Sequence, residues 1–184
     1  MRSPLGTTRF GTFPQGLVRD GRRFSQAFLC ALIVASATLA ASSKLVAANP
    51  VLSIGTVYAK PGQTVNTSVL YTPNGAEVSA FQFDLHYDRN TLTGISATLG
   101  PAATLAGKML ASAVLSNGDI RYLVYGLNQT VIGHGTVVVL TITVATDAAP
   151  GTYALQMLNA VASDPKGNEV PINVSSGQVV VRKK

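Results

Sequence analysis

His86 and Asp84 stand two residues apart in the stretch Phe81-Gln-Phe-Asp-Leu-His-Tyr87. In an extended strand residues i and i+2 share a face, so this imidazole and carboxylate could pair or ligate a metal together. Two ligands do not make a metal site, so the plainer reading is a polar row on the solvent side of a strand, shared with Gln82. Gly133-His134-Gly135 resembles half of a phosphate loop, but the third glycine is absent. A strand follows it in place of the helix whose N-terminus would hold the anion, so it reads as a turn. Asp164-Pro-Lys-Gly167-Asn168-Glu169 gathers oxygen ligands near a glycine. Calcium wants six or more oxygens, and only Asp164, Asn168 and Glu169 offer side chains, so a hairpin turn is the better reading.

Beyond Pro50 the carboxylates are Glu77, Asp84, Asp88, Asp119, Asp147, Asp164 and Glu169. Most fall in turn signals, where Asp bonds its own backbone, and nothing marks two of them as a glycosidase pair. Neither a Gly-x-Ser-x-Gly elbow nor a His-Glu-x-x-His motif occurs. The chain has two histidines and one cysteine, Cys30. The expectation is therefore a protein that binds and does not catalyse, with no cofactor and no metal site.

The elements that must position these residues are strands. From Pro50 onward, runs rich in β-branched and aromatic residues alternate with Gly, Pro, Asn and Asp clusters. Nine strands are expected, over Val51–Ala59, Thr64–Tyr71, Val78–Tyr87, Thr91–Thr98, Lys108–Leu115, Ile120–Leu127, Thr136–Thr146, Thr152–Ala162 and Gln178–Arg182, with a shorter extended piece at Val170–Val174. Thr98–Gly107 allows one helical turn. Asn117-Gly118 is the strongest hairpin signal, because both residues accept positive φ. Many short strands with regular turns indicate an all-β sandwich or barrel.

Two strands carry the site expectation. In Phe81–Tyr87 the alternation is clean, with Phe81, Phe83, Leu85 and Tyr87 toward the core and Gln82, Asp84 and His86 toward solvent. In Ile120–Gly126 it fails, since Leu123 and Tyr125 lie on one side and Ile120, Tyr122 and Val124 on the other. Both faces are largely apolar, so either something covers the outer one or it is an exposed platform for a partner, and Tyr122 and Val124 are read as outward.

Charge divides unevenly. Arg2, Arg9, Arg19, Arg22, Arg23 and Lys44 precede Pro50 against Asp20 alone, which leaves the remainder near neutral although the chain carries a net +6. A nucleic-acid protein would carry that charge on its folded part, so no nucleic-acid partner is expected. Arg22-Arg23, the apolar run Ala27–Ala41 and small residues near Ala40 and Ala48 form a signal-peptide pattern over 1–48. The apolar run is short for a membrane span, so membrane contact is expected only through an uncleaved leader. Cys30 lies at the front of the run, which argues against lipidation. The mature part, 49–184, is expected as one exported domain without cysteine, held by its core. It ends just after the last expected strand, so no further domain or anchor is expected.

The order of these motifs resembles the cohesin domain, the nine-stranded jelly-roll module of cellulosome scaffolds. The residues that carry the resemblance are Gly55-x-x-Tyr58-x-x-Pro61-Gly62, Ala80–Asp88 with Leu92, Asn117–Leu123, Gly135–Ile142, Pro150–Tyr153, Asp164–Pro171 and Gly177-x-Val179-x-Val181. The resemblance implies a non-catalytic module in a polysaccharide-degradation or cell-surface setting, secreted and extracellular, that docks a dockerin, a small calcium-loaded helical module of secreted enzymes. It further implies docking on an outer sheet face that includes Val78–Tyr87 and the hairpin Lys108–Gly126. Type I members carry Asn-x-Asp on the first of these strands, where this chain has Ala80 and Gln82. That departure bears on the usual dockerin hydrogen bonds and not on the fold. The expected partner-binding residues are Gln82, Asp84, His86, Tyr122, Val124 and Gly126. Two alternatives stand beside this reading. One is a carbohydrate-binding module for polysaccharide, using Tyr122 as a stacking platform in a chain without tryptophan. The other is a structural surface protein that self-associates through strand edges.

Overall fold

The computed structural model describes residues 48–183. All but the last residue of the leader expected over 1–48, Cys30 included, lies outside the described residues. Twelve strands form two mixed sheets that pack as a sandwich: β1 (Val51–Ile54), β2 (Thr56–Ala59), β3 (Thr64–Thr72), β4 (Ala80–Tyr87), β5 (Leu92–Leu99), β6 (Met109–Val114), β7 (Ile120–Tyr125), β8 (Gly135–Val144), β9 (Gly151–Ser163), β10 (Glu169–Val170), β11 (Asn173–Ser175) and β12 (Gly177–Val181). One sheet has the order β11-β1-β3-β8-β5 and the other β2-β12-β9-β4-β7-β6, with β10 beside β9. Among the described residues one short helix, α1 (Pro101–Leu105), is the helical turn expected between Thr98 and Gly107. Proline supplies its fixed φ at the helix start, and Ala102 and Ala103 are buried beneath it.

The first expected strand is split. At Gly55 the chain leaves β1, in the five-stranded sheet, and enters β2, in the other. The closing strands make the same crossing beside it, because β11 runs parallel to β1 and β12 parallel to β2. The two backbones nearly touch there. A Cβ on Gly177 would lie 2.5 Å from the Gly55 carbonyl oxygen, so glycine is required by space. The extended piece at Val170–Val174 likewise divides, into β10 and β11, and these divisions turn nine expected strands into twelve.

Between the sheets lies one core. Leu52, Val69 and Tyr71 from one side meet Phe81, Phe83 and Leu85 from the other, all at most 2 % exposed. Tyr71 stacks in tilted geometry on Phe81, with ring centroids 5.9 Å apart. Phe81, Phe83 and Leu85 are inward as the alternation of β4 predicts, while Tyr87 is only half-buried.

The β6–β7 connection differs from the two-residue turn expected at Asn117-Gly118. Gly118 takes φ +83° but Asn117 does not adopt positive φ. The Gly118 N–H donates to the Leu115 carbonyl at 2.8 Å, and the Leu115 N–H donates to the Asp119 carbonyl at 2.8 Å. This is a three-residue loop closed by a glycine bulge. The Arg89 side chain packs directly over Gly118, where any Cβ would clash.

The structure overturns the parity read for β7. Ile120, Tyr122 and Val124 are 7 %, 1 % and 0 % exposed and point inward, whereas Arg121, Leu123 and Tyr125 alternate outward. The cause is register. Phe81, Phe83 and Leu85 on β4 pair with Val124, Tyr122 and Ile120 on β7. Residues directly opposite one another share a face, so β7 inherits its inner face from β4. Phe83 and Tyr122 meet with ring centroids 5.5 Å apart.

Candidate functional site

The face that the sequence singled out is the outer side of β9-β4-β7-β6. Register assigns its rows. Ala80, Gln82, Asp84 and His86 of β4 stand beside Leu123 and Arg121 of β7, and Leu158 and Val161 of β9 flank them on the other side. Ala111 and Ala113 of β6 lie opposite Leu123 and Arg121. Leu158 is 40 % and Val161 45 % exposed.

Asp84 holds the centre. It is not the solvent-facing contact that the polar row suggested, but is only 1 % exposed. Arg121 covers it with a bidentate pair, Nε to Oδ1 at 2.7 Å and Nη2 to Oδ2 at 2.8 Å. Asn159 Nδ2 donates to Oδ2 at 2.9 Å. Asn159 sits at φ +49°, where the register of β9 against β4 shifts, and that bulge is what turns its amide toward β4. The Arg121 hydrogen bond, more than the Asn159 one, holds the Asp84 carboxyl below its ordinary range, against a desolvation that pushes it up. Arg121 is held above its own range chiefly by the same hydrogen bond.

His86 does not join Asp84. Its Nδ1 lies 2.8 Å from Asp119 Oδ1, which ties the end of β4 to the β6–β7 loop. Asp119 is itself 6 % exposed and accepts from Asn117 Nδ2 at 2.7 Å. The expected Asp84–His86 pair is thus two separate pairs reaching in different directions. Among the described residues no three His, Cys, Asp or Glu side chains cluster as a metal site would require.

Around this framework the face is shallowly concave and apolar. A depression of about 240 Å³ lies between Ala80, Gln82, Leu123 and Val161. Another of about 170 Å³ lies between Gln82, Ala111, Ala113 and Leu123. Gln82 and Leu123 form the ridge between them. At the far end of β4 an open polar groove of about 730 Å³ runs past His86, Arg89, Asn90 and Gln156.

The expected site residues therefore separate. Gln82 and His86 lie on this face and reach solvent. Asp84 lies on it beneath Arg121. Tyr122 and Val124 are core residues on the opposite side of the sheet, so neither can contact a partner, and Tyr122 cannot serve as a sugar platform. Burial pushes the Tyr122 hydroxyl up to about 12. Gly126 follows β7, where a Cβ would lie 3.0 Å from Lys108 Cδ. Lys108 is buried there, its Nζ donating to Asn128 Oδ1 at 2.8 Å, and desolvation lowers its pKa. The residues that reading missed are Leu123, Arg121, Leu158, Val161 and Asn159. The signal for two of them was present, because pairing β7 against β4 fixes Leu123 and Arg121 outward once the loop is counted.

The other two motifs behave as turns. Gly133-His134 leads directly into β8 with no helix after it. Asp164 Oδ1 accepts the Lys166 and Asn168 N–H groups at 2.8 and 2.9 Å, and Oδ2 accepts Asn168 Nδ2 at 2.9 Å, so the carboxylate is spent on its own hairpin.

No curated protein matches the chain. Solved structures do. The sixth cohesin of scaffoldin B from Acetivibrio cellulolyticus, in complex with a mutant dockerin, is 22 % identical over 73 % of this chain and 100 % of its own, with a TM-score of 0.65. A type I cohesin–dockerin complex from Clostridium thermocellum gives 17 % identity over 73 % of this chain and 100 % of that one, with a TM-score of 0.64. A non-cellulosomal cohesin from the archaeon Archaeoglobus fulgidus gives 18 %, 73 % and 92 %, with a TM-score of 0.62. These likenesses establish the sandwich as the cohesin fold. The family model described as "Cohesin domain" matches residues 50–181, almost the whole of the described sandwich, and the chain belongs to the cohesin domain family.

Proposed function

We propose that this chain is a non-catalytic docking module that captures a dockerin-like protein on the outer face of β9-β4-β7-β6. The observation that carries the reading is the composition of that face. Leu158 and Val161 stand exposed, and Leu123 half-buried, around Asp84 and Arg121, whose charges are already paired. Apolar side chains supply affinity once water is excluded, and a prepaid ion pair at the centre adds no desolvation cost for its buried carboxylate. Solved structures similar to this chain are cohesin–dockerin complexes, which supports the choice of partner. Ala80 and Gln82 offer no carboxylate, so orientation on this face falls to Gln82, His86 and the free edge of Arg121.

Residues 1–48 are read as an export leader and 49–184 as the binding domain, acting outside the cell or at its surface in polysaccharide degradation. Sequencing the N-terminus of protein recovered from the medium tests this, and a mature start near residue 41 or 49 is expected.

The chain, immobilised, is exposed to secreted proteins of its source with calcium and then with chelator. Capture of a protein with duplicated calcium loops, released by chelator and lost with Leu123→Asp, is the expected outcome. Capture unaffected by Leu123→Asp would remove this face from the mechanism.

A further inference from the structure

β6 is an open edge of its sheet, and it is unguarded. The Leu115–Asp119 hydrogen bond sets the alternation of the hairpin. Bonds to β7 then fall to Ala113, Ala111 and Met109, and the N–H and C=O groups of Leu110, Ser112 and Val114 point away from the sheet. Unpaired edges of this kind template pairing with another strand unless charge, proline, a bulge or brevity blunts them. β6 reads Met-Leu-Ala-Ser-Ala-Val, with no charge and no proline, in unbroken register with β7. Its competitors are blunted. β5 carries a register shift between Leu92 and Gly94, β11 is three residues long, and β2 is four residues long with Arg182 lying over Tyr58.

We propose that β6 pairs antiparallel with β6 of a second copy of this chain, about a two-fold axis through Ser112. In that register Ser112 faces its own image, Leu110 faces Val114 of the second copy, and Ala111 faces Ala113. Every outward N–H and C=O of the strand then finds a partner. Val114, 74 % exposed in the single copy, gains an apolar neighbour. The two-fold axis sets Ser112 against its own image, so a charge at that position would repel itself, and the strand carries none. Small alanines opposite one another let the backbones close. One six-residue edge buries less than the roughly 1,200 Å² of a standard interface, so the dimer is weak, with a Kd of about 10 µM to 1 mM. It does not depend on the proposed docking partner, since β6 meets the second copy through its edge and leaves the outer face open.

Sedimentation of the full chain from about 1 µM to about 1 mM reads the dimer as a rise in average mass toward twice the monomer. Ser112→Lys and Ser112→Glu are each expected to stay monomeric, and an equimolar mixture of the two to associate again, because opposite charges then meet at the axis. Ser112 is exposed, so both variants are expected to melt as the parent does. Ser96→Lys, on β5, is expected to leave the dimer intact. The proposal is overturned if the parent stays monomeric at the highest concentration, if Ser112→Lys associates as the parent does, if the mixture fails to associate, or if Ser96→Lys abolishes the dimer.

Discussion

The two sheets present different outer faces to solvent. On the five-stranded sheet, Thr64, Asn66 and Ser68 of β3 face Thr143, Thr141 and Val139 of β8. The Thr64 and Thr143 hydroxyls bond each other at 3.1 Å. That face is neutral, hydroxylated and content in water. On the seven-stranded sheet, exposed Leu158 and Val161 surround a carboxylate that has been removed from solvent and matched to a guanidinium. Only the carboxylate is withdrawn from water, since Arg121 lies over it partly exposed, and the pairing outweighs its desolvation. The difference teaches that strands of the same fold can carry outer faces of different character, hydroxylated on one side and apolar around an ion pair on the other.

Four substitutions test that contrast. The largest effect separates the inner from the outer side of β7. Tyr122→Ala removes a fully buried ring and is expected to cost about 3–5 kcal/mol, read as a fall of about 10–20 °C in Tm. Its neighbour Leu123→Asp should leave the melt near that of the parent and weaken partner capture by about 30-fold, measured by calorimetry or surface binding. Were the two to exchange phenotypes, the assignment of faces would be wrong. The third concerns Asp84. Its folded pKa is depressed, so the Arg121 pair stabilises the fold above the unfolded value of about 4 and is lost as pH falls through the folded value. Denaturation midpoints between about pH 6 and pH 2.5 should fall less for Asp84→Asn than for the parent. Asp88 and Asp164, also depressed, by Thr91 and Asn168 hydrogen bonds, continue to titrate in the variant, so its acid limb flattens only in part. The smallest effect belongs to the other face. Thr141→Ala should change stability by less than about 0.5 kcal/mol and capture not at all.

Most of the sandwich could be read from turn punctuation and from period-two runs, because most of its longer strands have one side in the core. Phe81–Tyr87 shows why, since its large residues alternate without exception. Ile120–Tyr125 shows the limit. Its residues are apolar on both sides, so its own pattern cannot say which side is buried, and only pairing with β4 decides. Counting that register required the loop at Leu115–Asp119, which holds one residue more than the Asn117-Gly118 signal suggests. Arg121 and Asp84 could have been matched by charge across the strands, but Asn159 could not. Its role depends on a bulge in β9 that leaves no mark on the sequence beyond an asparagine able to take positive φ.

The side-by-side crossing at Gly55 and Gly177 also decides how the module bears load. The opening strands run parallel to the closing ones, three residue pairs between β1 and β11 and four between β2 and β12. Tension applied at Val51 and Val181 therefore drives the partners past each other along their length. All the rungs of both ladders resist together, where an antiparallel terminal pair would open one rung at a time. Rupture under pulling is governed by the unfolding barrier and not by equilibrium stability, so it is that barrier which these parallel ladders raise.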